Sequence, residues 1–141
     1  MTTEAVLLQM ERRGMRDALL KAATPMVKRT RELASRQTGA LAKSIGKKGT
    51  TDRAKQSAEV KIGPRKNFRF KGRKPVAYAH LVEFGHIGKT PGGDVFGFVP
   101  PKPFMRPAFA GERANVMKKY TETMSDNIHR HYKNAERKGR I

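Results

Sequence analysis

Two segments decide the fold: Tyr78-Ala-His-Leu-Val-Glu-Phe-Gly85 and, further along, Pro100-Pro-Lys-Pro-Phe-Met-Arg-Pro107. The first is an apolar segment that ends at a glycine. Its apolar residues fit both the face of a helix and the alternation of a strand, and we expect a short helix with Gly85 as its C-cap. The second segment is stiffened by proline. Pro107 suits the first turn of a long helix, which we expect to end near residue 136.

Apolar residues at helical spacing predict a long helix at each end of the chain. The first helix extends from Thr3 to about Ser35, and Thr24-Pro25 should kink or break it because proline removes a hydrogen-bond donor. The apolar stripes are Leu8, Met15, Leu19, Ala22, Met26 and Leu33 in the first helix, and Met117, Tyr120, Met124, Ile128 and Tyr132 in the second. We interpret the first stripe as core or subunit interface, since methionine fills irregular space well.

Between the long helices the pattern changes every few residues. Thr38 can cap a short helical turn that buries Leu41 and Ile45. The basic segment 46–52 is typical of a flexible loop. Residues 58–63 alternate small or apolar with charged side chains, which predicts a half-buried strand ending at a Gly-Pro pair.

Two further segments have no clear period. Residues 65–74 form a polar connection, and a hairpin arm is one interpretation, since Phe68 and Phe70 would share one face of a strand. Residues 85–97 hold five glycines and one proline, so we expect a loop there. A short strand should follow at Phe98-Val99.

The order of these elements predicts an α+β fold, because helices and strands do not alternate as they do in a doubly wound sheet. We expect long N-terminal and C-terminal helices packed on a small antiparallel sheet, with extended basic and glycine-rich loops. The 141 residues, without internal repeat, suffice for one modest core and predict a single domain. Its parts are the N-terminal helix at 1–35, short helices, strands and loops at 36–106, the C-terminal helix at 107–136 and a basic tail at 137–141.

The composition excludes several kinds of site. Cysteine is absent, so neither disulfides nor thiolate metal ligands hold the chain together. No run of about eighteen apolar residues exists, which argues against a membrane span. The N-terminus has no basic leader followed by an apolar segment, so we expect no secretory signal and a protein that stays in the cytoplasm of the cell that makes it.

The chain is strongly basic, with 31 Lys and Arg against 12 Asp and Glu and a formal charge of +19. Such a charge favours polyanions, of which nucleic acid is the usual one. Most of it falls between Lys43 and Lys74 and in the last dozen residues. Either these cations form solvated loops and a tail, or they contact phosphates without reading sequence. For the second interpretation the DNA-facing candidates are Lys47, Lys48, Lys66, Arg69, Lys71, Arg73 and Lys74.

The segment Gly85-His-Ile-Gly-Lys-Thr90 superficially resembles a phosphate-binding loop. Such a loop needs glycine five positions before its Gly-Lys-Thr triplet, and Glu83 occupies that position. A carboxylate there would repel phosphate. We therefore expect no nucleotide site and no cofactor.

The titratable residues do not form a catalytic or metal site. His129 and His131 are two apart on a helix and point in different directions, whereas a chelating pair needs a spacing of four. His80 and His86 have no evident partners. Glu83 is a single acid in an apolar neighbourhood, and we expect it to accept hydrogen bonds or to pair with an arginine of its own or a neighbouring subunit. We predict no catalytic residue and no metal ligand.

In four places, in the right order, the chain resembles the neck and minor tail-component proteins of lambda-like long-tailed bacteriophages. The first place is the N-terminal amphipathic helix leading into Thr38-Gly39-Ala40-Leu41 with Ser44-Ile45, and the second is Val60-Lys-Ile-Gly63. The third is Tyr78-Ala79 with Val82-Glu83-Phe84-Gly85, and the fourth is Pro103-Phe104-Met105-Arg106-Pro107-Ala108 before the last helix. Together they span about residues 1–135. The chain differs from the pattern of this family in two places. The Ala-Pro pair that often precedes Thr-Gly is replaced here by Ser35-Arg-Gln37, and the threonine that often follows Gly85 is replaced by His86.

The resemblance implies a structural virion protein, not an enzyme, that completes the tail or joins it to the head. Such proteins assemble in the bacterial cytoplasm as rings, typically six-fold, around the channel that DNA traverses. The implied partners are other neck and tail proteins, further copies of the chain and passing genomic DNA, with no membrane. The residues that we expect to define the fold or the interface are Thr38, Gly39, Leu41, Tyr78, Glu83, Phe84, Gly85, Pro103, Phe104 and Pro107.

Two other classes of function remain open. A free-standing basic nucleic-acid-binding protein would use Phe68-Arg69-Phe70-Lys71 to stack single-stranded bases. It would bind short oligonucleotides tightly as a monomer, with steep salt dependence. A small hydrolase would need a pair of catalytic groups, and the sequence supplies none.

Overall fold

The computed structural model describes residues 3–34 and 39–139, with side chains from residue 11 onward. Thr38 and the apolar side chain of Leu8 lie outside this description. The elements in chain order are α1 Thr3–Ala22, α2 Thr24–Leu33, α3 Ala40–Ser44, β1 Ile45–Asp52, β2 Ser57–Pro64, a 3₁₀ helix Pro75–Ala77, α4 Ala79–Phe84, β3 His86–Lys89, β4 Val95–Val99 and α5 Met105–Arg137. The α+β class is therefore confirmed.

The predicted break in the N-terminal helix is confirmed at Ala23, which separates α1 from α2. The amide of Ala23 still donates to the carbonyl of Leu19 over 2.9 Å. Pro25 is the second residue of α2, where a missing N–H costs nothing because the first amides of a helix have no partner inside it.

The strands form two separate antiparallel pairs, β1 with β2 and β3 with β4, instead of the single small sheet that we expected. Strand β2 and its end at Pro64 match the prediction. The prediction of a flexible loop at 46–52 is wrong, because this segment is strand β1. Pairing with β2 supplies backbone hydrogen bonds along one edge of β1, and this outweighs the low strand propensity of glycine and lysine.

The prediction of a loop at 85–97 is also wrong over most of its length, because β3 and β4 form a hairpin around a turn at 90–94. The amide of Thr90 donates to the carbonyl of Asp94 over 2.8 Å, and the amide of Asp94 donates to the hydroxyl of Thr90 over 3.1 Å. These bonds close the turn. The glycines and the proline of residues 85–97 therefore form the turn and the bulge of a hairpin.

The contacts divide the described residues into two compact units. The first unit contains 3–25, 47–61 and 113–139, and the second contains 26–46 and 62–112. Whether they behave as the single domain that the sequence predicts stays a prediction.

The second unit has a well-defined apolar core. Its fully or nearly buried members are Val27, Ala34, Leu41, Ile45, Ala79 and Phe104. Partly buried side chains pack against this cluster, among them Tyr78, Val82 and Met105. The burial of Leu41 and Ile45 confirms that part of the prediction for the short helix α3, but its N-cap is Gly39, whereas the sequence predicted a cap by Thr38.

In the first unit, strand β1 lies close to helix α1. A Cβ atom at Gly49 would come within 2.8 Å of the Arg16 side chain and 2.9 Å of the Leu20 side chain. Glycine at this position therefore allows the backbone of β1 to approach the helix. The ammonium of Lys47 adds hydrogen bonds to the Leu20 carbonyl at 2.5 Å and to the Thr24 hydroxyl at 2.7 Å.

Candidate functional site

Glu83 lies at the end of α4 and is 6% exposed. Its carboxylate accepts hydrogen bonds from the backbone amides of Phe104 at 2.9 Å, Met105 at 3.0 Å and Arg106 at 3.0 Å. Met105 and Arg106 begin helix α5 and Phe104 immediately precedes it, so none of the three amides has an acceptor within the helix. Glu83 therefore caps α5 and also places a negative charge at the positive end of the helix dipole.

The electrostatics of this cap keep Glu83 ionised. Burial alone would raise the pKa of its carboxyl, but the three amide bonds and the charge of Arg106 outweigh burial and lower the pKa below its ordinary value. A carboxylate that is fully ionised at neutral pH has no proton to donate. Its geometry and charge suit structural capping.

The path of the chain after α4 is determined by Gly85 and by the proline-rich connection, residues 100–103, which leads from β4 to α5. Gly85 has φ 75° and ψ 167°, and a Cβ atom there would lie 2.8 Å from the carbonyl oxygen of Val99. Only glycine fits this conformation and this space. The amide of Lys102 donates to the carbonyl of Val82 over 2.8 Å, so the connection is bonded to α4 at Val82 as well as at Glu83.

Most residues that the sequence singled out meet in the second unit. Phe104 is fully buried, and Tyr78 and Leu41 belong to the same core. Gly39 precedes α3 with φ 72°. The remaining members line one open pocket with Glu83, and they are Phe84, Pro103 and Pro107. The ring of Phe84 is exposed, and the guanidinium of Arg106 lies 4.5 Å from its centre. Their role in an interface stays a prediction.

Residues 65–74, which we call the basic arm, do not form the strand that was one interpretation of this segment. Phe70 and Arg73 exchange two backbone hydrogen bonds of 3.0 Å around Lys71 and Gly72, both with positive φ. This is the geometry of a two-residue turn of type I′. The arm carries Arg65, Lys66, Arg69, Lys71, Arg73 and Lys74 and no acidic residue.

Two cationic side chains, Arg65 and Lys43, hold the base of the basic arm through contacts with backbone carbonyls and aromatic rings. Arg65 donates to the carbonyls of Ser44 at 3.2 Å and Lys43 at 2.9 Å, and its guanidinium lies 4.8 Å from the centre of the Phe68 ring. The ammonium of Lys43 lies 4.2 Å from the centre of the Phe70 ring. Both aromatic faces are therefore in contact with cations of the chain itself. The sequence analysis did not single out Arg65 or Lys43 for this role.

The predicted DNA-facing residues differ in whether their charged groups are open to solvent or hydrogen-bonded within the chain. Lys66, Arg69, Lys71, Arg73 and Lys74 are exposed on the basic arm, and Lys48 is exposed on β1. Lys47 instead directs its ammonium to the end of α1, as described above. Burial and then the charge of Lys119 lower the pKa of Lys47. Lys47 therefore fastens β1 to α1, and its charge is less available to a phosphate than that of its neighbour.

The hairpin β3–β4 presents large apolar side chains to solvent. Ile87 pairs with Phe98 across the strands, and a bulge after Gly88 places the Phe96 ring over that glycine. The side chains of Ile87, Val95, Phe96 and Phe98 are 60–66% exposed. The sequence analysis missed this surface because it treated most of the segment as a loop. The alternation in Val95-Phe-Gly-Phe-Val99 was the signal that could have revealed it.

Helix α5 carries a second exposed apolar surface. Its predicted stripe lines a shallow groove through Tyr120, Met124, Ile128 and Tyr132. Ile128 is 64% exposed and Tyr132 is 58% exposed. Val116, on the preceding turns, is buried. The helical period was therefore correct, but only Tyr120 and Met124 of this part of the stripe are half-buried, while Ile128 and Tyr132 stay exposed.

The histidines and the Gly-Lys-Thr segment can be compared with the geometry that a metal ion or a phosphate requires. In the described parts of the chain, no three His, Asp or Glu side chains come close enough to hold a metal ion. The segment that resembles a phosphate loop forms β3 and the following turn, whereas a true phosphate loop leads into a helix.

Within the described residues, no helix is long and apolar enough to cross a membrane.

Within its described residues, this α+β chain exposes a basic arm, an apolar hairpin and an apolar groove on α5. The chain belongs to the bacteriophage HK97 gp10-like family of tail components, whose family model matches residues 7–85. It is thus a phage tail-related structural protein with a place in the virion. No curated protein and no solved structure matches the chain.

The matched segment ends at Gly85. It includes α4 and the basic arm. The hairpin β3–β4 and helix α5 lie beyond it, so the family match does not account for the two exposed apolar surfaces.

Proposed function

We propose that this protein is a part of the phage neck that completes the tail or joins it to the head, and that it assembles as a ring around the DNA channel. The observation that carries the proposal is the presence of large exposed apolar surfaces and a basic arm in a member of a tail-component family. Contiguous exposed apolar surface is typical of protein interfaces. Exposed cations attract the phosphates of DNA.

The ring consists of identical copies, and six copies would match the symmetry of the tail. Its further partners are neck and tail proteins, and it assembles in the bacterial cytoplasm. Among the candidate residues, the buried ones such as Glu83 and Phe104 stabilise the fold. Phe84 is exposed and is available to a neighbouring protein. The function requires no catalytic residue.

DNA contact would come from the basic arm. Apart from Arg65, which is bonded to backbone carbonyls, five exposed cations of the arm are opposed by no acid within it: Lys66, Arg69, Lys71, Arg73 and Lys74. Contacts to phosphate position a protein on DNA without reading its sequence, which suits a channel through which a whole genome passes.

The test is to produce phage particles without this protein and to examine them by electron microscopy and infectivity. We expect filled heads and separate or incomplete tails, because neither part can join without the neck. Supplying the chain from a plasmid should restore infectious particles. Normal, infectious, tailed virions in its absence would refute the proposal.

A free-standing nucleic-acid-binding protein is the second candidate, and the observation that favours it is the pair Phe68 and Phe70 within the basic arm. Cations of the chain already lie over both rings and compete with bases for them. This candidate predicts tight binding of short single-stranded oligonucleotides by the monomer. Fluorescence anisotropy with labelled oligonucleotides of increasing length measures it, and weak binding independent of length would exclude it.

A further inference from the structure

The basic arm is closed by two turns and therefore has a defined shape before it meets a partner. The amide of Phe68 donates to the carbonyl of Arg65 over 3.2 Å, which closes the first turn. Phe70 and Arg73 close the second turn through their two backbone hydrogen bonds. At the base, the amide of Arg65 donates to the carbonyl of Ser44 over 2.9 Å. A preformed arm binds its partner at a lower entropic cost than a chain that must first be ordered.

The two aromatic rings of the arm are occupied by cations of the chain. Phe68 and Phe70 are half-buried, with the guanidinium of Arg65 over the first ring and the ammonium of Lys43 over the second. The ammonium of Lys71 lies 5.4 Å from the centre of the Phe70 ring as well. A base can stack on an aromatic side chain only where a face of the ring is free. Stacking of a base on these rings would therefore have to displace a cation.

The charges of the arm, in contrast, are open to solvent. Its exposed cations include Arg69 and Arg73 beside the second turn and Lys71 within it. Lys71 has φ 48°, a left-handed conformation that glycine and asparagine adopt far more readily than lysine. An unfavourable backbone conformation of this kind is frequently retained at binding sites. The tip of the arm thus presents a positive charge despite the local backbone preference.

Double-stranded and single-stranded DNA differ in what they offer to such a surface. A duplex carries one negative charge per about 1.7 Å of its axis, and a single strand has a lower charge density. Proteins that bind single strands combine a basic surface with aromatic side chains on which the bases stack. A surface with exposed cations and occupied rings can use the phosphates of a duplex, but it cannot use unpaired bases.

We propose that the basic arm binds double-stranded DNA in preference to single-stranded DNA, and that Phe68 and Phe70 position the surrounding cations instead of stacking bases. The ligand is the phosphate backbone of a duplex. This inference rests on the proposed function, which assigns DNA contact to the arm. It adds the form of the DNA and the role of the two rings.

The first test compares labelled duplex and single-stranded oligonucleotides of equal length by fluorescence anisotropy with the purified protein. At about 0.1 M salt, exposed charges still act over about 10 Å. The expected result is several-fold tighter binding of the duplex. Equal or tighter binding of the single strand, or no measurable binding of the duplex, would overturn the proposal.

Because any basic surface attracts a duplex, the preference must be traced to the arm itself. The double variant Arg69→Gln and Arg73→Gln should reduce the ratio of duplex to single-strand affinity several-fold. The matched control, Arg13→Gln with Lys28→Gln, loses the same charge from exposed positions on α1 and α2. It should keep the ratio of the wild type. Equal effects of the two double variants would overturn the assignment to the arm.

The role of the rings is tested with Phe70→Leu, which keeps an apolar side chain but removes the aromatic face. Duplex affinity should fall a few-fold, because the cations lose their position, and single-strand affinity should fall by no larger factor. Loss of a stacked base would instead weaken single-strand binding by about 5-fold or more and leave the duplex unaffected. That result, or an unchanged duplex affinity, would overturn the proposal.

Lys43→Gln examines the same ring without altering it, in case Phe70→Leu disturbs the arm. Removing this cation frees the Phe70 ring, so single-strand affinity should rise several-fold relative to duplex affinity. Lys43→Arg keeps a cation over the ring and should retain the ratio of the wild type. An unchanged ratio in Lys43→Gln would overturn the proposal.

The outcomes separate this inference from the proposed function. If the duplex preference fails while particles without the chain still lack joined tails, the place in the neck stands and only the role of the arm is wrong. If the duplex preference holds while such particles are normal, the proposed function alone is refuted.

Discussion

Glu83 joins two segments that are 21 to 23 residues apart in the sequence, because its carboxylate accepts hydrogen bonds from the amide of Phe104, just before α5, and from the first two amides of α5. The sequence analysis identified it as an isolated acid among apolar residues and offered hydrogen-bond acceptance as one explanation. The donors that it meets could not be predicted. They depend on the path of the proline-rich connection, which brings the start of α5 back to α4.

Replacement of Glu83 by Ala should destabilise the protein by about 2–3 kcal/mol, because it leaves buried amides without an acceptor. Urea unfolding followed by circular dichroism measures this loss. Glu59→Ala is the matched control, because Glu59 is exposed. Its carboxylate lies 4.0 Å from the ammonium of Lys61, in an ion pair that is open to solvent. It should change the free energy of unfolding by less than about 0.5 kcal/mol. Equal effects would contradict the role of Glu83 as a cap.

The stabilisation by Glu83 should depend on pH. Its folded-state pKa is lowered from an unfolded value of 4.5, so the carboxylate stabilises the fold fully above that value. This contribution declines as the pH falls below 4.5 and is lost below the depressed folded-state pKa. The difference in unfolding free energy between the wild type and Glu83→Gln should therefore shrink between pH 7 and pH 3. A constant difference over this range would show that the charge is unimportant.

At the scale of elements, two glycines of the second unit have opposite requirements. Gly85 has positive φ and no room for a Cβ atom, whereas Gly111 lies within α5, where a Cβ atom would have no neighbour within 4 Å. Gly85→Ala should destabilise the protein by about 1–3 kcal/mol through backbone strain and steric conflict. Gly111→Ala should stabilise it by up to about 1 kcal/mol, because alanine favours helix. Thermal unfolding of both variants checks the two signs.

The basic arm should determine the salt dependence of DNA binding. Each phosphate contact contributes about 0.9 to the slope of log K against log salt concentration for duplex DNA. The triple variant Arg69→Gln, Lys71→Gln and Arg73→Gln should thus lower the slope by about 2–3. Lys47→Gln is the contrasting variant, because Lys47 is bonded to α1, and it should lower stability while leaving the slope nearly unchanged. A larger loss of slope for Lys47→Gln would reverse this assignment.

The errors of the sequence analysis at this scale share one cause. Segments 46–52 and 85–97 are rich in glycine or lysine, which are unfavourable in isolated strands, yet both contain strands in the folded chain. Pairing with a neighbouring strand supplies the backbone hydrogen bonds that local propensity does not anticipate. The helices were predicted more accurately, since their hydrogen bonds are local and their apolar period is visible in the sequence.

For the whole molecule, the high positive charge gives the two proposed contacts opposite responses to salt. Salt screens the repulsion between copies, since the Debye length falls from about 10 Å at 0.1 M to about 3 Å at 1 M. Self-association through apolar surfaces should therefore strengthen as salt rises, while DNA binding should weaken. Analytical ultracentrifugation at both salt concentrations, with oligonucleotide binding measured in parallel, tests this prediction. Self-association that weakens with salt would point to a charged interface.

The amino-acid sequence by itself determined the α+β class, the long helices with their break near Pro25, the short helix before Gly85 and the likeness to phage tail components. These features rest on local periods, on proline and glycine, and on charge, which each segment carries wherever it is placed. Only the tertiary structure decided which side chains meet: Glu83 with the start of α5, Arg65 with the α3 carbonyls, and Phe96 with Gly88. It also decided that the aromatic residues of β3–β4 and of α5 remain exposed. Burial depends on which segments approach each other across long stretches of chain, and no local pattern records that.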